Sequence, residues 1–154
     1  MTFKNIIISF ILILSPFLIL GQSKSKDTAK LKPPKLESFW GMSRGGHVAL
    51  EHVIYLLDSS IKIFTEKKEK LTIAKAILVY RSKDFYEDET TGILKTKYNS
   101  YSCNFKYNDQ IPDNWKKFLK ENMKPGDQLH FADIHVKNKS GYLFTAPDIK
   151  IMIE

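Results

Sequence analysis

The sequence predicts a mainly β protein, an antiparallel β-sandwich with one or two short helices. Extended stretches dense in β-branched and aromatic residues recur from about residue 38 to the end of the chain. Glycine, proline and aspartate clusters separate these stretches and indicate turns. Strands do not alternate with full-length helices, as they would in a parallel α/β fold, so helices are expected only as short insertions.

The segment 123–136 has the clearest local pattern. Residues 125–127, Pro-Gly-Asp, predict a turn, because proline pre-sets one turn position and glycine tolerates the left-handed one. In the strand that follows, the apolar positions change face between Phe131 and Ile134. The change near Asp133 predicts either a β-bulge or a strand buried on both sides.

Two short helices are expected on either side of the central strands. Pro112 to Asn122 has apolar residues at helical spacing, and proline suits the first helical position. A second helical or irregular piece is expected near Leu50, after a strand entry at 47–48. The alternating isoleucines of 149–153 predict a closing strand.

Three extended stretches are expected between the helices. Ile61 to Phe64 alternates, Leu71 to Tyr80 is dense in branched residues, and Ile93 to Tyr107 is rich in aromatics. The charged run from Thr65 to Lys70 predicts a hairpin connection. The acidic run from Ser82 to Gly92 predicts a solvated loop, because it lacks the alternating ligands and central glycine of a calcium loop.

Residues 1–21 have the pattern of a signal peptide. Lys4 precedes the apolar run from Ile6 to Leu20, and the small residue Gly21 follows it. The run is shorter than the roughly twenty residues that span a bilayer. Cleaved export is therefore favoured over a short membrane anchor, which places the protein in the periplasm or otherwise outside the cytoplasm.

Residues 22–37 predict a basic flexible linker that leads into a domain at 38–154. The linker holds five lysines against one aspartate and one glutamate, and it contributes to the formal net charge of +7. An alternative for this stretch is weak contact with an anionic membrane surface or an acidic partner. Nucleic acid is not expected as a partner, because the aromatic residues are not interleaved with a basic groove.

No catalytic, cofactor or metal site is predicted. His130 and His135 would lie on opposite faces of an unbulged strand, and the spacing of His47 and His52 matches no zinc site. Ser43 is not framed as a nucleophile elbow. The polar residues considered are His47, His52, His130, His135, Asp133, Cys103, Asp84, Glu87, Asp88 and Glu89.

The single cysteine excludes a disulfide within the chain. Cys103 lies between Tyr101 and Phe105 in a strand-like run, which predicts a small buried hydrophobic residue rather than a reactive thiol. The Gly45-Gly46 pair predicts a turn, because it lacks the spacing of a phosphate-binding loop.

Several short features of the domain recur in the same order in a known family. They are a turn at Gly41 to Gly46, a β run ending at Leu78-Val79-Tyr80, Gly92 before an extended run, a helix ending at Phe118-Leu119, the segment Lys124 to Ile134, Gly141, and Ile149-Lys150-Ile151. In this order the chain resembles the C-terminal domain of GldM, a gliding-motility and type IX secretion protein of the bacterial cell envelope. Phe131 departs from the smaller aliphatic residue usual in that family.

The resemblance implies an immunoglobulin-like β-sandwich that is not an enzyme and that works through protein contacts in the periplasm. We therefore expect a non-catalytic interaction module of the envelope, associated with gliding or type IX secretion machinery, that binds an envelope protein through an exposed sheet edge or through the aromatic residues near Phe39 and Trp40. One alternative is a glycan or peptidoglycan-binding module that uses Trp40, Trp115 and the tyrosines. The other is a small envelope hydrolase that uses the histidines with Asp133.

Overall fold

Eight strands and two helices form residues 33–154, the part of the chain that the computed structural model describes. No helix within this range is long and apolar enough to cross a membrane. The predicted signal peptide, 1–21, and residues 22–32 of the predicted linker lie outside the described residues. The elements are β1 (Leu36–Trp40), β2 (Gly46–Val48), α1 (Leu50–Leu56), β3 (Ile61–Thr65), β4 (Lys70–Glu87), β5 (Leu94–Lys106), α2 (Asp113–Asn122), β6 (Gln128–Lys137), β7 (Leu143–Thr145) and β8 (Ile149–Ile153).

The prediction of a mainly β fold with two short helices is confirmed. All eight strands belong to one hydrogen-bonded sheet, in the order β1-β3-β4-β6-β8-β2, with β5 beside β4 and β7 beside β6. The expected sandwich of two separate antiparallel sheets is not confirmed, because β4 is long enough to link both groups of strands. The sheet is also mixed, since β2 runs parallel to β8.

The sheet curls until its two ends enclose the core. Trp40 in β1 packs against Phe131 in β6 with ring centroids 5.0 Å apart, although two strands separate β1 from β6 in the sheet order. Ser38 Oγ donates a hydrogen bond of 2.6 Å to the carbonyl of Pro147, just before β8. Both contacts bring β1 over the far side of the sheet, so the core lies inside the curl.

A β-bulge in β6 confirms the first of the two structures predicted near Asp133. Asp133 has φ of 51°, and the pairing of β4 with β6 shifts register beside it. One extra residue reverses the side-chain alternation. The apolar residues before and after the bulge therefore share the core face, and all four are buried: Leu129, Phe131, Ile134 and Val136.

Both helices lie close to the predicted positions. Strand β2 leads into α1, as expected, and α2 ends at Asn122 before the predicted turn. Pro112 is the N-cap of α2 rather than its first helical residue. Leu119 is buried on the inner side of α2, where the helix covers the sheet.

The prediction of a loop from Ser82 to Gly92 is wrong over its first half. Strand β4 continues to Glu87, where it pairs with Leu94 of β5. The side chains in this stretch are polar, but the cross-strand partner still satisfies the backbone hydrogen bonds. Only the short connection between Glu87 and Leu94 is a turn.

Strand β1 begins at Leu36, two residues before the domain start expected at 38. Its side chains alternate, so that Leu36, Ser38 and Trp40 are buried while Glu37 and Phe39 face outward. The last part of the predicted linker therefore contributes a core residue, Leu36. Side chains alternate along a strand, so Leu36 lies on the same core-facing side of β1 as Trp40.

Asp127 is a buried carboxylate that anchors the turn before β6. It is fully inaccessible to solvent. Its Oδ1 accepts a hydrogen bond of 2.7 Å from the backbone of Lys83, and its Oδ2 accepts one of 3.0 Å from the backbone of Lys124. The Tyr80 hydroxyl lies 2.6 Å from the same Oδ2. Three donors thus compensate the carboxylate for its lost hydration.

Candidate functional site

An apolar groove runs along the outer face of β1 and β3. Antiparallel pairing places Glu37 opposite Phe64 and Phe39 opposite Lys62 on this face. The two phenylalanine rings meet edge to face with centroids 6.0 Å apart and form the groove floor. The groove has a volume of about 680 Å³.

A tight turn after β1 forms one wall of the groove. Trp40 and Ser43 exchange backbone hydrogen bonds of 2.8 and 2.9 Å across the turn. Gly41 has φ of 60°, and a Cβ there would lie 2.7 Å from the Leu56 side chain. A larger residue would have to adopt a positive φ and to shift the buried side chain of Leu56 in α1. As a result, Met42 projects into solvent with 93% of its surface exposed.

Arg44 closes the wall over the aromatic floor. Its guanidinium carbon lies 4.7 Å from the centroid of the Phe39 ring, which is the geometry of a cation–π contact. Its Nη2 is 3.0 Å from Oε2 of Glu37. Arg44 therefore neutralises the acidic residue of β1 and covers one ring, while Met42 and Phe64 remain the accessible apolar surface.

The rest of the groove rim carries two lysines and one glutamate. Lys62 and Lys68 line it, and neither forms an ion pair with another residue in 33–154. Glu66, also on the rim, lies 3.9 Å from the ammonium group of Lys35. An apolar floor bordered by unpaired lysines suits a ligand that combines apolar side chains with negative charge.

Among the strands that pair on one side only in the described range, β5 has a run of exposed side chains, whereas β1 has buried ones. In β1, Leu36 and Ser38 face the core and each expose only 8% of their surface. In β5, the residues from Leu94 to Lys97 are exposed, and β4 is the only strand paired with β5 in the described range. The predicted recognition through a sheet edge stays a prediction, and β5 is one edge that could serve it.

The aromatic surface predicted near Phe39 and Trp40 is partly wrong. Trp40 is fully buried, because the alternation that begins at Leu36 turns it inward. Trp115 is half-buried and packs edge to face on Phe118 at 5.4 Å. Trp40 cannot form the glycan platform of the alternative hypothesis, whereas Phe39 does line an accessible groove.

The bulge places His130 and His135 on the same outer face of β6, not on opposite faces as an unbulged strand would. The two side chains nevertheless have separate partners. His130 Nε2 lies 2.8 Å from Asp148 Oδ2, and His135 Nε2 lies 2.7 Å from Asp133 Oδ1. Asp133 also forms an ion pair with Lys75. The structure thus joins Asp133 and His135 and leaves His130 apart from them.

The Asp133 carboxylate accepts hydrogen bonds from two basic side chains. Those from Lys75 and then His135 hold the pKa of Asp133 below its ordinary value of 3.8. A carboxylate held in its charged form is a weak base at neutral pH. The cluster therefore has the character of a surface ion-pair network.

The other two histidines lie elsewhere. His47 Nδ1 is 2.8 Å from Oε1 of Glu154, and the ring of His52 lies beside Tyr55 on α1 with centroids 6.4 Å apart. Within residues 33–154, no group of three His, Cys, Asp or Glu side chains could hold a metal ion.

Cys103 is buried, and two acidic residues of the run from Ser82 to Gly92 form ion pairs. Cys103 exposes 9% of its surface, and burial raises the pKa of its thiol, which agrees with the predicted buried hydrophobic residue. Asp84 forms an ion pair of 3.0 Å with Lys124, and Asp88 forms one with Lys95. Glu87 and Glu89 are exposed and form no ion pair within the described residues.

Sequence reasoning missed four of the groove residues. Met42, Arg44, Lys62 and Phe64 come from separate segments, and only the register of β1 against β3 brings them together. The alternation of β1 was a usable signal, because it assigns Phe39 to the face opposite Trp40.

No protein-family model matches the chain, and no curated protein is significantly similar to it. The resemblance to the GldM C-terminal domain therefore stays a prediction from short motifs.

Proposed function

We propose that the chain is an exported, non-catalytic protein-protein interaction module of the cell envelope, and that the β1–β3 groove is its recognition face. The observation that supports this is the apolar groove, where Met42 is exposed and Phe64 is partly exposed beside the guanidinium of Arg44, which lies over Phe39. Aromatic residues, methionine and arginine are enriched at protein interfaces.

The groove suits a protein partner of defined chemistry. Burial of its apolar floor against a partner favours binding. Lys62 and Lys68 border the floor without acidic partners among the described residues. A partner segment with large apolar side chains next to aspartate or glutamate complements both features. The proposed association with gliding or type IX secretion machinery rests on the resemblance to the GldM domain alone.

The hydrolase hypothesis has weaker support. A general base must be free to accept a proton near neutral pH. Asp133, the carboxylate that hypothesis invokes, is instead stabilised in its charged form by Lys75 and His135. The observed contacts suit an ion-pair network that pins the bulge to β4.

In-cell photo-crosslinking of the full chain tests the proposal. A photoreactive residue replaces Met42 in the groove wall or, in a matched control, Tyr55 on α1, which exposes 75% of its surface. We expect the Met42 position to form a discrete adduct with a protein that mass spectrometry identifies, and the Tyr55 position to form none of that mass. Equal labelling from both positions, or no adduct from Met42, would contradict the proposal.

A further inference from the structure

The ends of β4 and β5 form a two-stranded arm, defined here as residues 82–99. The pairing of β6 with β4 ends at Gln128 and Arg81, whereas the pairing of β5 with β4 continues to Leu94 and Glu87. In the described part of the chain, no third strand pairs with the arm beyond this point. The arm therefore extends past the sheet as a ribbon.

Hydrogen bonds hold both ends of the arm. At the base, the backbone of Lys83 donates to Asp127 and the carboxylate of Asp84 pairs with Lys124. At the tip, Asp88 Oδ1 accepts hydrogen bonds from the backbone of Thr90 at 3.1 Å and of Thr91 at 3.0 Å. The arm is therefore pre-organised, which lowers the entropy cost of docking it on a partner.

The tip of the arm carries exposed apolar residues and acids, and Lys83 near its base places its ammonium group 5.3 Å from the centroid of the Phe85 ring. Phe85, Ile93 and Leu94 expose 64%, 60% and 70% of their surface. Phe85 and Leu94 are diagonal neighbours on one face, because Phe85 pairs with Thr96 and Glu87 pairs with Leu94. The exposed carboxylates of Glu87 and Glu89 flank this apolar cluster without ion-pair partners in the described residues.

The groove offers the complementary chemistry. It presents apolar surface at Phe64 and Met42 and unpaired cations at Lys62 and Lys68, and Glu66 is the acidic residue on the same rim. The arm presents exposed apolar side chains beside unpaired acids. Each surface therefore has the apolar area to cover the other and the charge to compensate it.

The two surfaces cannot meet within one chain. The groove lies at the Lys70 end of β4 and the arm tip at the Glu87 end, and β4 has 18 residues. At about 3.3 Å per residue, these ends are on the order of 50 Å apart. Tethering of the arm base to Asp127 prevents the arm from folding back. Any contact between the surfaces is therefore between two molecules.

We propose that the arm of one copy docks in the groove of a second copy. This inference rests on the proposed function, because it names the occupant of the same groove. The contact is heterologous, so each copy keeps a free arm or a free groove, and association continues into a chain of molecules or closes into a ring. Each contact involves one ribbon tip and is therefore small, so association is expected to depend on protein concentration. Because charged groups take part, it is also expected to depend on salt concentration.

Charge reversal on the full chain in a non-ionic detergent tests the proposal. The groove variant carries Lys62→Glu and Lys68→Glu, and the arm variant carries Glu87→Lys and Glu89→Lys. A control variant carries Lys106→Glu and Lys150→Glu, which lowers net charge as much as the groove variant does, at two exposed lysines without ion pairs in the described residues. Sedimentation gives the detergent-corrected mass, and thermal unfolding confirms that each variant is folded.

We expect the mass of the unchanged chain and of the control to rise with concentration. The groove and arm variants should each stay at the monomer mass, because like charges then oppose each other in every contact. An equal mixture of the two variants should associate again, because the arm of each now complements the groove of the other.

Three results would overturn the proposal: a monomeric unchanged chain at all concentrations, reversed variants that associate like it, or a mixture that stays monomeric. The crosslinking result distinguishes this proposal from the proposed function. If Met42 crosslinks to a different protein while the chain is monomeric, the groove is a recognition face but a second copy is not its occupant.

Discussion

The hydroxyl of Tyr80, in the middle of β4, donates a hydrogen bond to the buried carboxylate of Asp127, with 2.6 Å between the oxygens. The hydroxyl also lies 2.8 Å from the carbonyl of Asn122, the last residue of α2. Burial, and then the hydrogen bond to Asp127, raise the pKa of Tyr80 far above its ordinary value of 10.0. This contact joins the central strand, the end of α2 and the turn that leads into β6.

Tyr80→Phe should destabilise the protein, because a buried carboxylate would lose one of its donors. The expected loss in free energy of unfolding is about 1–3 kcal/mol, measured by urea denaturation. Tyr101→Phe is the matched control, since that ring stacks on Tyr80 while exposing 44% of its surface. A loss for Tyr80→Phe no larger than for Tyr101→Phe would show that the Asp127 contact is not stabilising.

Asp133→Asn should reduce stability in a pH-dependent way. The pKa of Asp133 in the folded protein lies below its ordinary value of 3.8. Its contribution is therefore fully present above that value and is lost as pH falls through the folded-state pKa. Asparagine keeps the tolerance for positive φ, so the variant removes mainly the charge.

The measurement is urea denaturation of both proteins at a series of pH values. The unchanged chain should exceed Asp133→Asn in stability at about pH 5, and the difference should shrink as pH falls below about 4. A difference that is constant across this range would mean that the Lys75 and His135 contacts do not stabilise the folded state.

Gly41→Ala should destabilise the turn beside the groove more than a positive φ alone explains. The added Cβ would meet the Leu56 side chain at 2.7 Å. Gly92→Ala is the matched control, because Gly92 has φ of 66° against 60° for Gly41 and its nearest neighbour lies at 3.7 Å.

Both variants carry a conformational cost of about 1–2 kcal/mol, and Gly41→Ala should lose roughly 1–3 kcal/mol more through overpacking. Thermal unfolding compares them. Equal melting temperatures would indicate that the Leu56 side chain adjusts without cost and that Gly41 is not required by close packing.

Arg44→Ala should weaken partner capture by the groove, because it leaves the carboxylate of Glu37 uncompensated beside Phe39. Repulsion between that carboxylate and an acidic partner should lower the yield of the Met42 crosslink. Arg44→Lys keeps the positive charge and should retain most of the yield. Equal losses in both variants would assign the role of Arg44 to the shape of its planar guanidinium rather than to its charge.

Local sequence patterns predicted the parts of this fold that depend on local chemistry. Helix α2 follows from its spacing and from Pro112, and the bulge at Asp133 follows from the reversal of apolar alternation in β6. The closing strand β8 follows from alternating isoleucines, all of which are buried. These features depend on residues that are neighbours along the chain.

The groove and the arm depend on pairing between distant segments. Whether Ser82 to Glu87 is a loop or a strand is decided by β5, whose partner residues lie beyond the turn. The groove depends on the register that sets Phe39 beside Lys62. Register is a property of two strands together, so the composition of either one does not specify it. The placement of Trp40 is different, because the alternation within β1 alone assigns it to the inward face.

The most direct test of the groove as a recognition face is the in-cell yield of the Met42 photo-crosslink in three backgrounds of the full chain. The backgrounds are the unchanged residues, Lys62→Glu with Lys68→Glu in the groove, and Lys106→Glu with Lys150→Glu, which do not line the groove. If the groove is the recognition face, a discrete protein adduct should persist in the third background and be lost in the second. An adduct of equal yield in all three backgrounds, or its absence from the unchanged chain, would contradict it.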